Sequence, residues 1–141
     1  MRFFIASPWR NRTAVEQLTE ELTKRGYDAY SYLQSGANLS TGISIEEELK
    51  TFSSAMVNWE NDQNIKKIFD SELDGLKQSD AVILLEPAGR SSLLEAGIGY
   101  GMGKEIIVIG VVERPEVFYL IAQHFYRDTD EFLGSLPSAA K

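Results

Sequence analysis

The sequence predicts a doubly wound α/β domain of the flavodoxin-like (Rossmann-like) class. Five parallel strands are expected in the order 2-1-3-4-5, with helices on both faces of the sheet. Three observations carry this expectation. Short apolar runs alternate along the chain with segments whose apolar residues recur at helical spacing. The run Ile106 to Val112 is apolar and β-branched almost throughout, as in a strand buried on both faces. The chain has 141 residues with no internal repeat or low-complexity tract, which suits one domain spanning 1–141.

Each element has a local reason. Arg2 to Ala6 is a short apolar run stopped by Ser7-Pro8, and a polar turn, Trp9 to Arg12, follows. Thr13 to Lys24 carries Val15, Leu18 and Leu22 on one helical face, and Gly26 stops it. Asp28 to Leu33 reads as the second strand, and Gln34 to Gly42 as a turn-rich loop. Ile45, Leu49, Phe52, Met56 and Trp59 form one stripe, so a helix with a core-facing side is expected from Ile45 to Trp59. Gln63 to Lys77 is the next helix, followed by a strand from Ala81 to Leu85 with Asp80 as the turn residue before it. Helices are expected over Ser92 to Met102, Pro115 to Gln123 and Thr129 to Leu136, and short strands over Ile106 to Val112 and Phe125-Tyr126. The tail from Pro137 reads as frayed.

Composition narrows the function classes. There is no cysteine and a single histidine, His124, so neither a disulfide framework nor a zinc site is expected, and no metal or other cofactor is implied. The net charge of -7 argues against nucleic acid as a partner, because binding a phosphate backbone needs a basic face. The N-terminal apolar run is too short for a signal peptide or a membrane span, so a cytoplasmic protein without membrane contact is expected.

In a sheet of order 2-1-3-4-5, ligands bind at the switch point between the first and third strands, at their carboxyl ends. The loops meeting there are Ser7 to Arg12 and Glu86 to Ser92. This topology sets Ser7, Trp9, Arg10 and Arg12 opposite the helix that carries Glu95. Gly97, Gly99, Gly101 and Gly103 with Lys104 look like a phosphate loop, but the spacing G-x-x-x-x-G-K-[ST] is absent and Glu105 follows the lysine. A packing role for these glycines, with Gly103 ending the helix, is the better reading. Glu95 has two readings. Ser92-Leu93-Leu94-Glu95 fits a capping box, which would leave the acid a structural role in the first turn. Alternatively, its position at the switch point, its apolar neighbours and a helix N-terminus that favours the ionised form suit a nucleophile.

The run from Asp80 to Lys104, with Glu95-Ala96-Gly97 and Gly103-Lys104, resembles the core of the nucleoside 2-deoxyribosyltransferase family and its nucleotide N-glycosidase relatives. FFIASPWRN, at Phe3 to Asn11, resembles the family's first strand and substrate loop. The resemblance implies that Glu95 is the nucleophile that attacks C1′ of a nucleoside or nucleoside 5′-monophosphate and expels the base through a glycosyl-enzyme ester. A second base or water would then resolve the ester, giving transfer or hydrolysis. The family's Asp six residues before the nucleophile is replaced by Gly89, and its Asp eight residues before the one at the strand entry, here Asp80, is replaced by Glu72. Those acids handle the base, so the replacements favour hydrolysis or a changed substrate. The turn offers Gly89, Arg90, Ser91 and Ser92 instead, which with Ser7, Arg10 and Arg12 across the cleft suit a 5′-phosphate. Trp9 would stack on the base. The relatives complete their sites across subunits, so a homodimer or higher oligomer is implied. The alternative is a non-catalytic nucleotide or nucleotide-sugar sensor, TIR-like, on the same fold.

Overall fold

The computed structural model describes residues 1–34, 50, 53–54 and 56–137. Its strands are β1 (Arg2–Ala6), β2 (Asp28–Tyr30), β3 (Ala81–Leu85), β4 (Glu105–Ile109) and β5 (His124–Tyr126), in one sheet of order β2-β1-β3-β4-β5. Every pairing is parallel, and the register sets Ile5 beside Ile83 and Ile83 beside Ile107. The order and the parallel crossovers are those the sequence predicts.

The described helices are α1 (Arg12–Lys24), α2 (Gln63–Gln78), α3 (Arg90–Gly101) and α4 (Thr129–Ser135). Alternating strand side chains divide the core into two layers. Phe3, Ile5, Ile83 and Ile109 pack under α1 and α4, with Val15, Leu18, Leu22 and Phe132. Phe4, Ala6, Val82, Leu84 and Val108 pack under α2 and α3, with Leu76 and Ala96. β3 and β4 lie centrally and are covered on both sides, which explains their unbroken apolar runs. No helix among the described residues is long and apolar enough to cross a membrane.

Local chemistry fixes the ends. Asp62 caps α2 by accepting from the Asn64 and Ile65 N–H groups at 2.8 and 3.0 Å. Asp128 caps α4 through the Glu131 N–H at 2.8 Å. Asp80, expected as a turn residue, accepts from the Arg2 N–H at 2.8 Å and ties β1 and β3 at their amino ends. Gly26 and Gly103 follow α1 and α3 with φ of 86° and 83°, the left-handed geometry of a helix stop.

Several boundaries differ from the expectations. The second strand ends at Tyr30, where Tyr32–Gln34 tightens into a 3₁₀ turn. The fourth ends at Ile109, because Gly110 with φ of 108° turns the chain. Pro115 to Gln123 is not an α-helix: only Val117–Ile121 coils, as a 3₁₀ segment, and Val117, Phe118 and Leu120 on it are exposed. The Gln34 to Gly42 loop and the tail lie almost wholly outside the described residues. So do Ile45, Leu49 and Phe52 of the expected stripe. Met56 and Trp59 of that stripe are exposed rather than in the core, and Trp59 starts a separate 3₁₀ turn.

The glycine pattern of α3 resolves into two roles. Gly99 presses on the sheet: a Cβ there would lie 2.6 Å from Cγ2 of Val82, which is fully buried. Gly97 and Gly101 face away, and a Cβ on either would meet nothing within 4 Å. The packing role therefore belongs to Gly99. Gly99→Ala is expected to lower stability by about 1–3 kcal/mol through overpacking against Val82. A urea midpoint equal to that of the wild type would contradict this contact.

Candidate functional site

The β3–α3 connection starts at Glu86, whose peptide bond to Pro87 is cis. The Glu86 carboxylate accepts from the Ala88 N–H at 3.0 Å and from the Tyr119 hydroxyl at 2.8 Å. This pins the 117–121 segment to the turn. Burial and the bond to Glu86 both push the Tyr119 hydroxyl's pKa up.

α3 begins two residues earlier than the sequence suggests, at Arg90 with Gly89 as the cap residue. Ser92 is therefore the third helical residue, not the cap. Its buried hydroxyl accepts from the Gly89 N–H at 2.7 Å and donates to the Gly89 carbonyl at 2.9 Å. This shift removes Glu95 from the first turn. It is the sixth helical residue, so the capping reading fails and the helix N-terminus does not reach it.

Glu95 instead turns toward α2 and shares a hydrogen bond with Glu72. Both carboxyls are partly buried between the helices, close enough to Tyr30 for their charges to act on its hydroxyl. Burial raises the pKa of Glu95, and the charge and hydrogen bond of Glu72 raise it further, to about 10. Burial raises Glu72 as well. The proton belongs to the pair, because two carboxylates in contact cannot both ionise cheaply. At neutral pH the pair thus keeps a proton. The Tyr30 hydroxyl bonds to Ser71 Oγ at 2.7 Å, and burial raises its pKa too. Gly75 admits the Tyr30 ring under α2, since a Cβ there would lie 2.6 Å from the ring.

The other residues singled out in the sequence do not gather around Glu95. The Ser7 hydroxyl donates to the Leu85 carbonyl at 3.0 Å and accepts from Asn11 Nδ2 at 2.9 Å. Asn11 also donates to the Pro87 carbonyl at 3.0 Å. Together they stitch the ends of β1 and β3, a polar tie that the sequence reading missed at Asn11. Trp9 packs against the α1-side core and stacks on Tyr32 at 4.8 Å, whereas Glu95 lies on the α2–α3 side. Gly89 touches Pro8: a Cβ there would lie 3.3 Å from Pro8 Cβ, so an acid at this position would press on the first loop. Arg10, Arg90 and Ser91 are exposed near the carboxyl ends of the strands. Arg12 pairs with Glu16 at 3.1 Å on α1. Among the described residues no group of three or more His, Asp or Glu side chains is placed to hold a metal ion.

A groove of about 850 Å³ opens between α3 and the 117–121 segment. Leu93, Leu94, Ile98, Phe118 and Leu120 line it, and neither carboxyl of the pair does. The groove and the carboxyl pair lie on different faces of α3.

No family model and no curated protein matches the sequence. Solved structures do match the fold. A 2-deoxyribosyltransferase from Bacillus psychrosaccharolyticus superposes with a TM-score of 0.66 at 14% identity, over 96% of this chain and 93% of its own. The CMP N-glycosidase BcmB of Clostridium botulinum superposes with a TM-score of 0.54 at 17% identity, over 95% of this chain and 96% of its own. These are the kinds of protein that the Asp80 to Lys104 segment resembles, and the likeness covers almost the whole chain.

Proposed function

We propose that this protein cleaves or transfers the N-glycosidic bond of a nucleoside or nucleoside 5′-monophosphate, with Glu95 as nucleophile. The observation that carries this reading is the Glu72–Glu95 pair, two carboxyls joined by a hydrogen bond in a partly buried site. The two solved relatives, a deoxyribosyltransferase and a CMP N-glycosidase by name, supply the reaction class.

The pair suits a double displacement. In the resting pair the proton lies on Glu95; its transfer to Glu72 across their hydrogen bond as substrate binds bares the Glu95 carboxylate, which attacks C1′. The C1′–N bond breaks, and the leaving nitrogen takes the proton from Glu72. The glycosyl ester on Glu95 is then attacked at C1′ by water, or by a second base, whose proton returns to Glu72. The sugar is released and the pair regains its single proton. Splitting one hard displacement into two follows the logic of retaining glycosidases, with one group serving as acid and then as base. Low polarity around the pair strengthens the attraction between the Glu95 carboxylate and the cationic sugar of the transition state.

In this reading Arg10, exposed on the first loop, and Arg90, exposed at the start of α3, would favour a 5′-phosphate. A homodimer is the assembly we infer. The test is incubation with a panel of nucleosides and 5′-monophosphates, with free base followed by chromatography. Release of base from one member supports the reading. Tight binding of a nucleotide with no base released would replace it with the sensor.

A further inference from the structure

We propose that Tyr30 is a positioning residue for the carboxyl pair: through Ser71, its hydroxyl holds Glu72 at the place where α2 meets Glu95. This rests on the reaction proposed above and adds a residue that acts through the pair.

The argument starts from what holds α2. Only Gly75 and Leu76 of this helix are buried, and both lie in its last turn. The bonds from Arg2 to Gln78 and from Lys104 to the Lys77 carbonyl, each 2.9 Å, are in that turn as well. Nearer the start, Ile65 and Ile68 are half-buried and Phe69 is exposed. Packing therefore anchors the helix at its end. Ser71 lies one turn before Gly75, and Glu72 lies between them. The Tyr30–Ser71 bond at 2.7 Å is a second tether on α2, one residue from the acid.

Tyr30 is built to be a fixed point. It pairs in register with Phe4 on β1, and the two rings stack at 5.5 Å with an interplanar angle of 24°. On the helix side, a Cβ at Gly75 would lie 2.6 Å from the Tyr30 ring. Tyr30 is 7% exposed. A ring packed this closely has little room to move, so its hydroxyl carries the frame of the sheet to α2. Packing alone asks only for the ring, and phenylalanine would supply it. The hydroxyl adds the bond to Ser71.

The surroundings keep the tether steady. Glu72 and Asp74 on α2 and Glu95 on α3 act on the hydroxyl, and the Arg2 guanidinium of β1 lies 5.9 Å from the ring centroid. Burial and the three acids raise the pKa of the hydroxyl, so it stays neutral and hydrogen-bonding through physiological pH. The bond between the carboxyls needs this steadiness, because a hydrogen bond weakens steeply outside a narrow range of distance and angle. Releasing Ser71 lets Glu72 move off Glu95 and slows proton transfer between them.

Three variants of the full chain test this: Tyr30→Phe, Ser71→Ala and the two together. On a nucleoside that the wild type cleaves, each single variant is expected to lower kcat ~10-fold with KM unchanged. The double variant should lose no more than either single one, because both remove the same bond. Carbon-13 NMR of glutamate-labelled protein reads the pair without turnover. The carboxyl signal that Glu95→Gln removes should titrate about one pH unit lower in Tyr30→Phe than in the wild type. A wild-type kcat in Tyr30→Phe, additive losses in the double variant, or an unmoved carboxyl midpoint overturns the positioning role, even if the urea midpoint falls. A wild type that releases no base from any nucleoside or 5′-monophosphate overturns the reaction instead, and the carboxyl titration alone then decides whether Tyr30 holds the pair.

Discussion

Glu95→Gln is expected to abolish release of free base, lowering turnover on the order of 10³-fold or more, with the fold intact. The substitution keeps the size of the side chain and its ability to hydrogen-bond Glu72. What it removes is the anion that attacks C1′, and an amide cannot form the glycosyl ester. Glu72→Gln has a different signature. It keeps the nucleophile but removes the proton that the departing nitrogen takes. Turnover on ordinary nucleosides should fall, whereas a substrate whose leaving group needs no proton, such as a glycosyl fluoride, should be attacked nearly as fast as by the wild type. Equal losses on both substrates would assign Glu72 a structural part. Base release by Glu95→Gln at the wild-type rate would end the proposed mechanism. Both measurements use the same chromatographic assay, read with and without the activated substrate.

The fold was legible because its strongest signals are local. β3 is apolar throughout and β4 is apolar after Glu105, and α1 carries Val15, Leu18 and Leu22 on one face, so their type follows from run length, β-branching and periodicity. The 117–121 segment shows where that reasoning stops. Val117, Phe118 and Leu120 count as apolar in any window, yet they are exposed, because periodicity reports what a residue is and not what covers it. The site was legible in one residue and hidden in its pairing. Glu95 stood out by its place after β3, and Glu72 only through the family resemblance. On α2, Glu72 reads as one more acid on a solvated face. Its contact with Glu95 depends on how α2 and α3 pack side by side, and on Gly75 admitting Tyr30 beneath them. The capping box misled for a related reason. A serine two residues inside a helix can bond back to the cap backbone, and Ser92 does so with Gly89. That moves every later residue by half a turn and takes Glu95 from the helix end to the neighbouring helix.

The same pair makes the protein's stability depend on pH in a direction opposite to that of a salt-bridged carboxylate. Glu95 has its folded pKa raised from 4.5 to about 10, so between those values the folded chain holds a proton that the unfolded chain has released. Stability then falls as pH rises, because the unfolded state binds fewer protons. The contribution is fully present below pH 4.5 and is lost progressively toward the folded value. Net negative charge acts in the same direction, since self-repulsion grows as the remaining acids ionise. Glu95→Gln separates the two effects: it deletes the Glu95 carboxyl and barely alters the overall field. The variant should therefore lose less stability than the wild type between pH 5 and pH 8, and at pH 8 it should be the more stable protein, by about 1 kcal/mol. Urea midpoints of both proteins at the two pH values measure this. Parallel slopes would mean that the pair carries no extra proton in the fold, and that Glu95 is already ionised at neutral pH. The expected result, lost activity with gained stability from one isosteric change, is the mark of a group held in the fold for chemistry at a cost to the structure around it.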